Sequence, residues 1–471
     1  MKTTYLELSE DNGAAHKFYE VCVEAMNLII KYGRIGTNGT VSQKTFATPA
    51  AAQKEAEKKI RQKKSKGYAP AKKGVRKKRP ITRRHIESYA STSKKSPLLW
   101  KFDSGAAAFG IFVDDNHCWV GNQRGSIYCL NHDAEVVNQY RLPNGVKSLV
   151  SDGLWLYAGC DDGNVYDLTG KIPRQAYEVQ EGVDIFWMDI SDATLGVSDA
   201  NGTVFLADHE NEELWRNQSA GSQAWMVRCD GNNVFHGHTN GVTAYSGLKK
   251  AKIKWTYRTG SVLFGWQEEH AVYAGCADNR IVALKKSGEL LQEYKTDRSV
   301  FSCATAPGGE YVFAGDNASS IYCFNKEGKR LWKLATGCGS AYSMQYHNEK
   351  VYIVTTSGHL ACIDASEEAI KQAEAGNLPQ TKDLKAPKPV DVADSAALES
   401  VRAANGGVVL HCVKQAGKLR LKVVSDGYHK NWNVQFPKNL REAGARYVVD
   451  SIKEAAQGGF YRVAGDIRKL V

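Results

Sequence analysis

Short runs in which apolar and polar residues alternate dominate the chain, and they predict a mainly β protein. In the first module the runs have the period of two expected of half-buried strands, and they cover residues 5–8, 17–24, 27–32 and 41–46. The period then changes, because Thr48 is placed to cap a helix that has Pro49 in its first position and ends near Ser65, with Gly67 closing it. We therefore predict a small α+β module over residues 1–70.

From residue 96 to residue 366 the chain repeats itself with a period near 39. One turn residue recurs in steps of 38 to 40, and we name these seven residues the anchor positions: 125, 163, 202, 241, 279, 319 and 358. Six residues before the anchor lies an aromatic residue in six of the seven repeats, and a Trp or Tyr lies 23 to 26 residues before every anchor. A repeat of this length built from short strands is typical of one four-stranded propeller blade, so we predict a seven-bladed β-propeller.

The two ends of this repeat region are complementary. The seventh repeat has no outer strand after residue 364, whereas an additional strand-like run, Leu-Leu-Trp-Lys-Phe, stands before the first repeat at residues 98–102. We expect the early run to complete the seventh blade and so to close the ring without open edges.

The remainder of the chain predicts a linker followed by a third module. Residues 367–400 are rich in Ala, Glu, Lys and Pro, which indicates a linker with a helical start. Residues 408–413 and 418–424 read as a hairpin, Asn439 as the cap of a helix over residues 440–457, and residues 460–463 as a closing strand. We predict a small α+β domain over residues 401–471. Within it, Trp432 and Phe436 with the nearby Arg441 and Arg446 suggest either a second nucleic-acid contact or ordinary packing, and packing is favoured.

Positive charge is concentrated at the beginning of the chain. The formal net charge is +11, yet residues 1–97 hold 22 Lys and Arg against eight Asp and Glu, while the rest of the chain is slightly acidic. Residues 54–84 alone hold 15 basic residues and two acidic ones, and we predict a basic linker over residues 71–95. Such a density repels itself unless a polyanion neutralises it, and nucleic-acid phosphate is the favoured polyanion over a solubilising or nuclear-import tail.

The first module resembles the WGR domain. The resemblance rests on the order Lys-Phe-Tyr-Glu at 17–20, Tyr-Gly-Arg-Ile-Gly-Thr-Asn-Gly at 32–39, Lys-Thr-Phe at 44–46, an Ala-rich helix and Lys-Gly-Tyr at 66–68. WGR domains occur in DNA-break-sensing poly(ADP-ribose) polymerases and in bacterial regulators. The resemblance implies that Tyr32, which replaces the family's Trp, stacks near a DNA end, that Arg34 grips phosphate and that Gly33 lets the backbone approach. Packing of a small sheet is the alternative role for Tyr32 and Arg34.

Around this motif we predict a sequence-independent grip on phosphate. The predicted nucleic-acid-binding residues are Lys31, Tyr32, Gly33, Arg34, Lys44, Lys54, Lys58, Arg61, Lys72, Lys73, Arg76, Lys77, Lys78 and Arg79. The glycine-rich turn is neither a dinucleotide fingerprint nor a P-loop, because its spacing differs and no helix follows it directly.

The repeat region resembles the propeller of pyrroloquinoline-quinone proteins. Its Leu-Trp-Lys and Tyr-Ala-Gly-x-x-x-Gly phrasing carries this resemblance, which raises a quinone-dependent enzyme as one possibility. The chain has no acidic ligand cluster and no adjacent cysteine pair, so we expect neither catalysis nor a cofactor. His236 and His238 alternate on one strand and hint at a metal, but no third ligand stands nearby, and ordinary turn polarity is favoured.

Composition narrows the class of protein further. No apolar run approaches the roughly 18 residues that suggest a membrane span, and the first residues lack the apolar region of a signal peptide. The 11 cysteines form no Cys-x-x-Cys pair, and several recur at fixed distances from the anchor positions, which predicts reduced thiols buried in strands.

From these features we predict a non-enzymatic nucleic-acid-binding protein. DNA is favoured as the ligand, and break sensing in a DNA-damage response is one form of this function. The propeller is predicted to be a platform for a protein partner, and no membrane association is expected. The predicted location is intracellular, cytoplasmic in a bacterium and nuclear in a eukaryote. The alternatives are a protein scaffold that binds no nucleic acid and, less favoured, the quinone-dependent propeller enzyme.

Overall fold

The chain folds into two compact units, Met1–Pro80 and Ile81–Val471, in a mainly β architecture that confirms the predicted fold class. The computed structural model describes residues 2–9, 16–34, 40–66, 68–71, 87–153, 155–170, 173–180, 182–191, 193–246, 250–387, 407–455 and 458–470. Among these residues, neither helix has the length and the apolar character that crossing a bilayer requires. The boundary between the two units falls inside the predicted basic linker.

The first unit is a five-stranded sheet with one helix. Its strands are β1 (Lys2–Ser9), β2 (His16–Glu24), β3 (Asn27–Arg34), β4 (Thr40–Thr45) and β5 (Ala69–Pro70). They lie in the order β4-β3-β2-β1-β5, and all neighbours are antiparallel. Helix α1 (Pro49–Lys64) begins where predicted, because the Thr48 hydroxyl accepts a hydrogen bond from the backbone N–H of Ala51 at 3.2 Å. The predicted strands and helix of this module are therefore confirmed.

Helix α1 covers one face of this sheet. Its buried residues Ala52 and Ala56 are small, which lets the helix approach the strands closely. The core beneath it consists of alternate residues from the strands together with Tyr68, and its buried members are Leu6, Tyr19, Val21, Leu28, Ala56 and Tyr68. The alternation of the sequence thus decides which strand residues face the helix.

Seven sheets follow one another in the second unit, as the repeat predicted, six of them with four strands and the seventh with five. Each of the first three blades runs from its inner to its outer strand in chain order. Their strands are β7 (Ala108–Val113), β8 (Cys118–Asn122), β9 (Ser126–Leu130) and β10 (Val136–Arg141); β11 (Val146–Asp152), β12 (Trp155–Cys160), β13 (Asn164–Asp167) and β14 (Arg174–Glu178); and β15 (Ile185–Ser191), β16 (Thr194–Asp199), β17 (Thr203–Ala207) and β18 (Glu213–Gln218).

The next three blades have the same arrangement. Their strands are β19 (Met226–Cys229), β20 (Asn233–His238), β21 (Gly241–Ser246) and β22 (Lys252–Arg258); β23 (Val262–Gln267), β24 (Ala271–Cys276), β25 (Arg280–Lys285) and β26 (Leu290–Lys295); and β27 (Val300–Thr305), β28 (Tyr311–Asp316), β29 (Ser320–Asn325) and β30 (Arg330–Ala335). A 3₁₀ turn, Pro307–Gly309, joins β27 to β28.

The seventh blade closes the ring in the predicted way. Its inner strands are β31 (Ala341–His347), β32 (Lys350–Thr355) and β33 (His359–Asp364), and its fourth strand is β6 (Leu98–Asp103) from the start of the repeat region. Helix α2 (Glu367–Glu374) follows, as the helical start of the linker predicted. The predicted linker also contains a strand, because β34 (Lys382–Lys385) pairs in parallel with β6 and adds a fifth strand to this blade.

The anchor positions share one backbone conformation. All seven have a positive φ, from 53° at Ser319 to 131° at Gly241. Five of them are glycine, which adopts such a conformation without strain. At Gly163 a Cβ atom would also lie only 1.8 Å from the carbonyl oxygen of Gln180, so both the backbone angle and the space require glycine. The repeat is therefore a repeat of one turn geometry.

The third module differs from its prediction. It is a closed barrel of β35 (Val408–Gln415), β36 (Lys418–Val423), β37 (Asn433–Gln435), β39 (Phe460–Leu470) and β38 (Arg446–Glu454), in that spatial order. The helix predicted over residues 440–457 is wrong: a 3₁₀ turn, Lys438–Leu440, is followed by strand β38. The domain is therefore β rather than α+β. The favoured packing role of Phe436 holds, since this side chain is buried in the barrel core, and Trp432 packs partly against it.

Candidate nucleic-acid interface

A cleft opens in the first unit between the sheet and the C-terminal half of α1. The register places Tyr19 of β2 directly opposite Tyr32 of β3, and both side chains project towards the helix. Their ring centroids are 6.2 Å apart. Tyr19 is buried, whereas Tyr32 remains 43% exposed, so one face of the aromatic pair is available to a ligand.

Helix α1 and the turn after it supply the other wall of the cleft. Lys59, Lys63 and Lys66 are spaced four and three residues apart and therefore lie along one side of the helix. With Gln62, Tyr19 and Tyr32 they line an open space of about 330 Å³. The cleft thus combines a row of cations with an accessible aromatic ring.

Lys63 lies at the centre of this arrangement. Its ammonium group stands 4.4 Å from the ring centroid of Tyr19 and 4.9 Å from that of Tyr68, both within the range of a cation–π contact. Burial lowers the pKa of Lys63, and the positive charges of its neighbours lower it further, in the order Lys66, Lys17 and Lys59. A bound anion would relieve this repulsion.

Few carboxylates compete for these cations. Lys59 is 3.8 Å from a carboxylate oxygen of Glu55, a weak pair on the surface. Among the residues that the structure describes, neither Lys63 nor Lys66 forms an ion pair with an acidic side chain. Cations beside an exposed aromatic ring match the two chemical elements of a nucleic-acid strand, its phosphates and its planar bases and sugars.

The other predicted residues of β3 and β4 lie away from this cleft. Lys31 alternates with Tyr32 and so projects from the opposite face of the sheet, where its strand neighbour is Glu20. Gly33 lies within β3, paired with Phe18. Lys44 is on the same face as Tyr32 but pairs with Leu28, which lies four residues before Tyr32 in β3. Its ammonium group lies over the ring of Phe46.

The predicted helix cations are also separated from the cleft. Lys54, Lys58 and Arg61 are exposed and recur on the side of α1 that faces away from the sheet. The backbone of Arg34 ends β3, and its side chain lies outside the described residues. The same holds for the six predicted cations of the basic linker, which are Lys72, Lys73, Arg76, Lys77, Lys78 and Arg79.

Of the predicted site residues whose side chains the structure describes, Tyr32 is thus the one that lines the cleft. The prediction missed Tyr19, Lys59, Gln62, Lys63 and Lys66. Two signals in the sequence indicate them: strand alternation, which places Tyr19 and Tyr32 on one face, and the helical spacing of the lysines at 59, 63 and 66.

Comparison with protein families agrees with this geometry. Residues 2–75 match the WGR domain. The predicted resemblance is therefore confirmed, and the cleft lies within the matched residues. Tyr32, which stands where the family has its name-giving Trp, is an exposed aromatic residue within the matched range.

The propeller is also similar to a protein family and to solved structures. Residues 180–374 match a family described as outer membrane protein assembly factor BamB, a PQQ-type propeller family, which confirms the second resemblance over part of the ring. The WD40 β-propeller domain of Doa1 aligns with a TM-score of 0.51 and 13% identity, over 59% of this chain and 99% of that domain. The computationally designed protein Ika8 aligns with a TM-score of 0.46 and 14% identity, over 57% and 100%. No curated protein matches the chain.

The histidines at 236 and 238 and most of the cysteines of the propeller are buried among its strands. His238 bonds through Nε2 to the hydroxyl of Thr243 at 3.0 Å, and burial lowers the pKa of His236 to about 3. Within the described ranges, no group of three or more His, Cys, Asp and Glu side chains could hold a metal. Ten of the eleven cysteines are buried and all are free, which agrees with their predicted place in strands. Burial raises the pKa of Cys160 well above its usual value, so this thiol is a poor nucleophile.

Proposed function

We propose that this protein binds nucleic acid, with DNA as the favoured ligand, through the cleft of its WGR domain, and that its propeller is a platform for a protein partner. A WGR domain joined to a propeller supports a binding or scaffold role. The observation that carries the proposal of nucleic-acid binding is the row of three lysines opposite the exposed ring of Tyr32.

In this proposal the two walls of the cleft have different tasks. Tyr32 stacks on a sugar or base, and stacking is most accessible where a strand ends or is interrupted. Lys63 and Lys66 contact the adjacent phosphates, which adds affinity without reading sequence. The basic linker adds further attraction of the same kind. A preference for nicked over intact duplex follows from the stacking, and sensing of strand breaks in a DNA-damage response is its biological form.

We further propose that the protein is not an enzyme and acts inside the cell. The cleft contains lysines, tyrosines and one glutamine but no nucleophile beside a general base, so its chemistry suits binding. The buried cysteines are consistent with a reducing compartment.

The decisive experiment measures affinity for four ligands under the same conditions: nicked duplex, intact duplex, single-stranded DNA and RNA. We expect the nicked duplex to bind most tightly and the affinity to fall steeply between 50 and 200 mM salt, by roughly 10³ if about six phosphates are contacted. Lys63→Gln and Lys66→Gln should weaken binding, while Lys54→Gln, on the far side of the same helix, serves as the matched control. Absence of binding to all four ligands would leave the protein scaffold as the function.

A further inference from the structure

The C-terminal barrel presents a positively charged face to the propeller. Strands β36, β37 and β39 are neighbours, and their outward side chains include Arg420, Gln435 and Arg462. Arg441 and Lys438 stand beside this row, at the 3₁₀ turn after β37. We name five residues the cationic face: Lys418, Arg420, Lys438, Arg441 and Arg462.

An acidic loop in the third blade lies against the cationic face. The loop joins β17 to β18 and comprises residues 208–212, with carboxylates at Asp208, Glu210 and Glu212. Asp208 holds it in shape, because its carboxylate accepts hydrogen bonds from the backbone N–H groups of Glu210 and Glu212 at 2.9 and 3.0 Å. The backbone of the loop at Glu210 and Glu212 is therefore held in a turn.

Ion pairs join the two surfaces. Glu210 is 97% buried, and its Oε2 atom lies 3.0 Å from both Arg420 and Arg441. Glu212 lies 3.3 Å from Lys418, at the edge of the contact. Outside the loop, Asp152 of the second blade pairs with Arg462. These carboxylates take the place that phosphate groups occupy on a cationic surface.

An aromatic contact accompanies the charges. The ring of His209, from the same loop, stacks on Phe460 of the barrel with a centroid distance of 3.8 Å and an angle of 16°. The imidazole ring thus stacks on Phe460 in the way that a nucleobase stacks on an aromatic side chain. A planar ring followed by a carboxylate thus reproduces, within this chain, the two features of a nucleotide.

We propose that the cationic face is a binding surface for single-stranded nucleic acid and that the acidic loop occupies it as an internal competitor. Five cations of the barrel meet three carboxylates of the propeller, so the pairing leaves positive charge that a polyanion can neutralise. The proposal is independent of the WGR cleft, because it concerns other residues and a second site.

Such an exchange requires the contact to open, because the acidic loop covers Arg420 and Arg441 while the barrel is docked. A ligand then binds only to the open fraction, and its apparent affinity is reduced by that fraction.

The test uses the full chain with Glu210→Gln and Asp152→Asn, which remove two charges and keep the side-chain volumes. Tyr32→Ala and Lys63→Gln are present throughout to suppress binding at the WGR cleft. The probes are a single-stranded deoxyoligonucleotide of about 12 nucleotides and the matching duplex. Hydrogen exchange of barrel peptides over 418–435 and 460–468 reports both opening and ligand contact. We expect faster exchange without ligand, protection by the single strand, and an affinity at least about tenfold higher than with the native carboxylates.

The control variant is Glu213→Gln. The Glu213 carboxylate pairs with Arg216 of the same strand, so this substitution should change neither the hydrogen exchange of the barrel peptides nor the affinity for the single strand. Adding Arg420→Ala to the opened protein should remove the gain in affinity. The proposal is overturned if the barrel peptides remain as protected as before, if the single strand gives them no protection, or if the duplex binds equally well. Hydrogen exchange of the WGR peptides is measured separately, with the same oligonucleotides, in the protein whose cleft is intact. A failure of the barrel site can therefore be distinguished from a failure of the WGR cleft.

Discussion

The WGR domain and the C-terminal barrel are both small β modules that carry clustered cations, and they differ in what neutralises those cations. In the WGR domain, Lys63 and Lys66 line an open cleft, and in the part of the chain described no carboxylate is paired with them. In the barrel, Arg420 and Arg441 converge on the buried carboxylate of Glu210. The comparison teaches that cation density in a sequence does not by itself identify a free anion-binding surface.

The two modules also store electrostatic energy in opposite ways. Burial and, after it, the positive charges of Lys66, Lys17 and Lys59 lower the pKa of Lys63, and an anion in the cleft would favour its charged form. At Glu210 the charges are paired but desolvated, so removal of one partner leaves a buried charge without compensation. The cations of the first arrangement are open to an anion, whereas those of the second are covered by carboxylates of the propeller as long as the barrel is docked.

The largest effect should come from breaking the pair at Glu210. Glu210→Ala leaves Arg441, which is 97% buried, without its carboxylate, and we expect a loss of about 3–5 kcal/mol in the stability of the docked barrel. Chemical denaturation, with hydrogen exchange of the barrel peptides as the readout, measures this loss. Glu213→Ala, in an exposed pair, should cost about 0–1 kcal/mol. Equal effects of the two substitutions would remove the distinction between the modules.

A smaller effect is expected at the aromatic residue of the open cleft. Tyr32→Ala should weaken binding of nicked duplex by about 1–3 kcal/mol, because it removes one stacking contact. The half-exposed ring contributes little to the fold, so thermal unfolding of the domain should change little. Phe460→Ala in the barrel is the matched substitution. It should leave the affinity of the native protein unchanged, since His209 already covers that ring.

The salt dependence of binding should separate the two sets of cations further. Lys63→Gln should reduce the slope of log affinity against log salt by about one, as expected when one phosphate contact is lost. Arg420→Gln should leave the slope unchanged while the barrel is docked, because its partner is Glu210. Affinities measured over a series of salt concentrations give both slopes. A change of slope for Arg420→Gln alone would reverse the assignment of open and closed surfaces.

The smallest effect is a dependence of barrel docking on pH. Burial lowers the pKa of His209, although the carboxylates of Glu210 and Asp208 act in the opposite direction, while Arg462 and Arg420 lower it further. A histidine whose pKa is lower in the docked state stabilises docking above its free value of about 6.5, and this contribution is lost as the pH falls below it.

Hydrogen exchange of the barrel between about pH 5 and 7 measures this dependence. His209→Phe keeps an aromatic ring at this position but removes the titrating group, so this substitution should abolish the pH dependence. Nucleic-acid binding at the WGR cleft should show no histidine-dependent change over the same pH range, because none of the six residues that line the cleft is a histidine. A pH dependence that persists in the phenylalanine variant would assign it to another group.

Much of the fold follows from the sequence because its repeats share a local geometry. The anchor positions recur with a positive φ, and the Trp or Tyr that lies 23 to 26 residues before each anchor lies on the outer strand of a blade. The helix predicted in the barrel fails for a specific reason. Tyr447, Val448, Val449 and Ile452 are all buried, and a bulge between Val449 and Ser451 shifts the register, so the apolar residues do not alternate strictly and their spacing imitates that of a helix.

The site was less predictable because it depends on pairing between distant strands. Sequence proximity suggested that Lys31 and Tyr32 act together, yet neighbouring residues of a strand project from opposite faces. Tyr19 joins Tyr32 through the register of β2 and β3, and Lys63 joins both through the packing of α1. The sequence indicated only Arg441 of the cationic face, as a possible second nucleic-acid contact. The pairing of this face could not be predicted, because its partner carboxylates are more than 200 residues away in the chain.

The seventh blade determines how the second unit bears a mechanical load. Strands β6 and β34 lie side by side in parallel, one near the start of this unit and one just before the barrel. Tension between the two ends of the chain pulls these strands from opposite ends, so their hydrogen bonds are loaded together in shear. We expect the seam to resist extension more strongly than a hairpin that opens one bond at a time, and stretching single molecules from their termini would show whether this joint yields last.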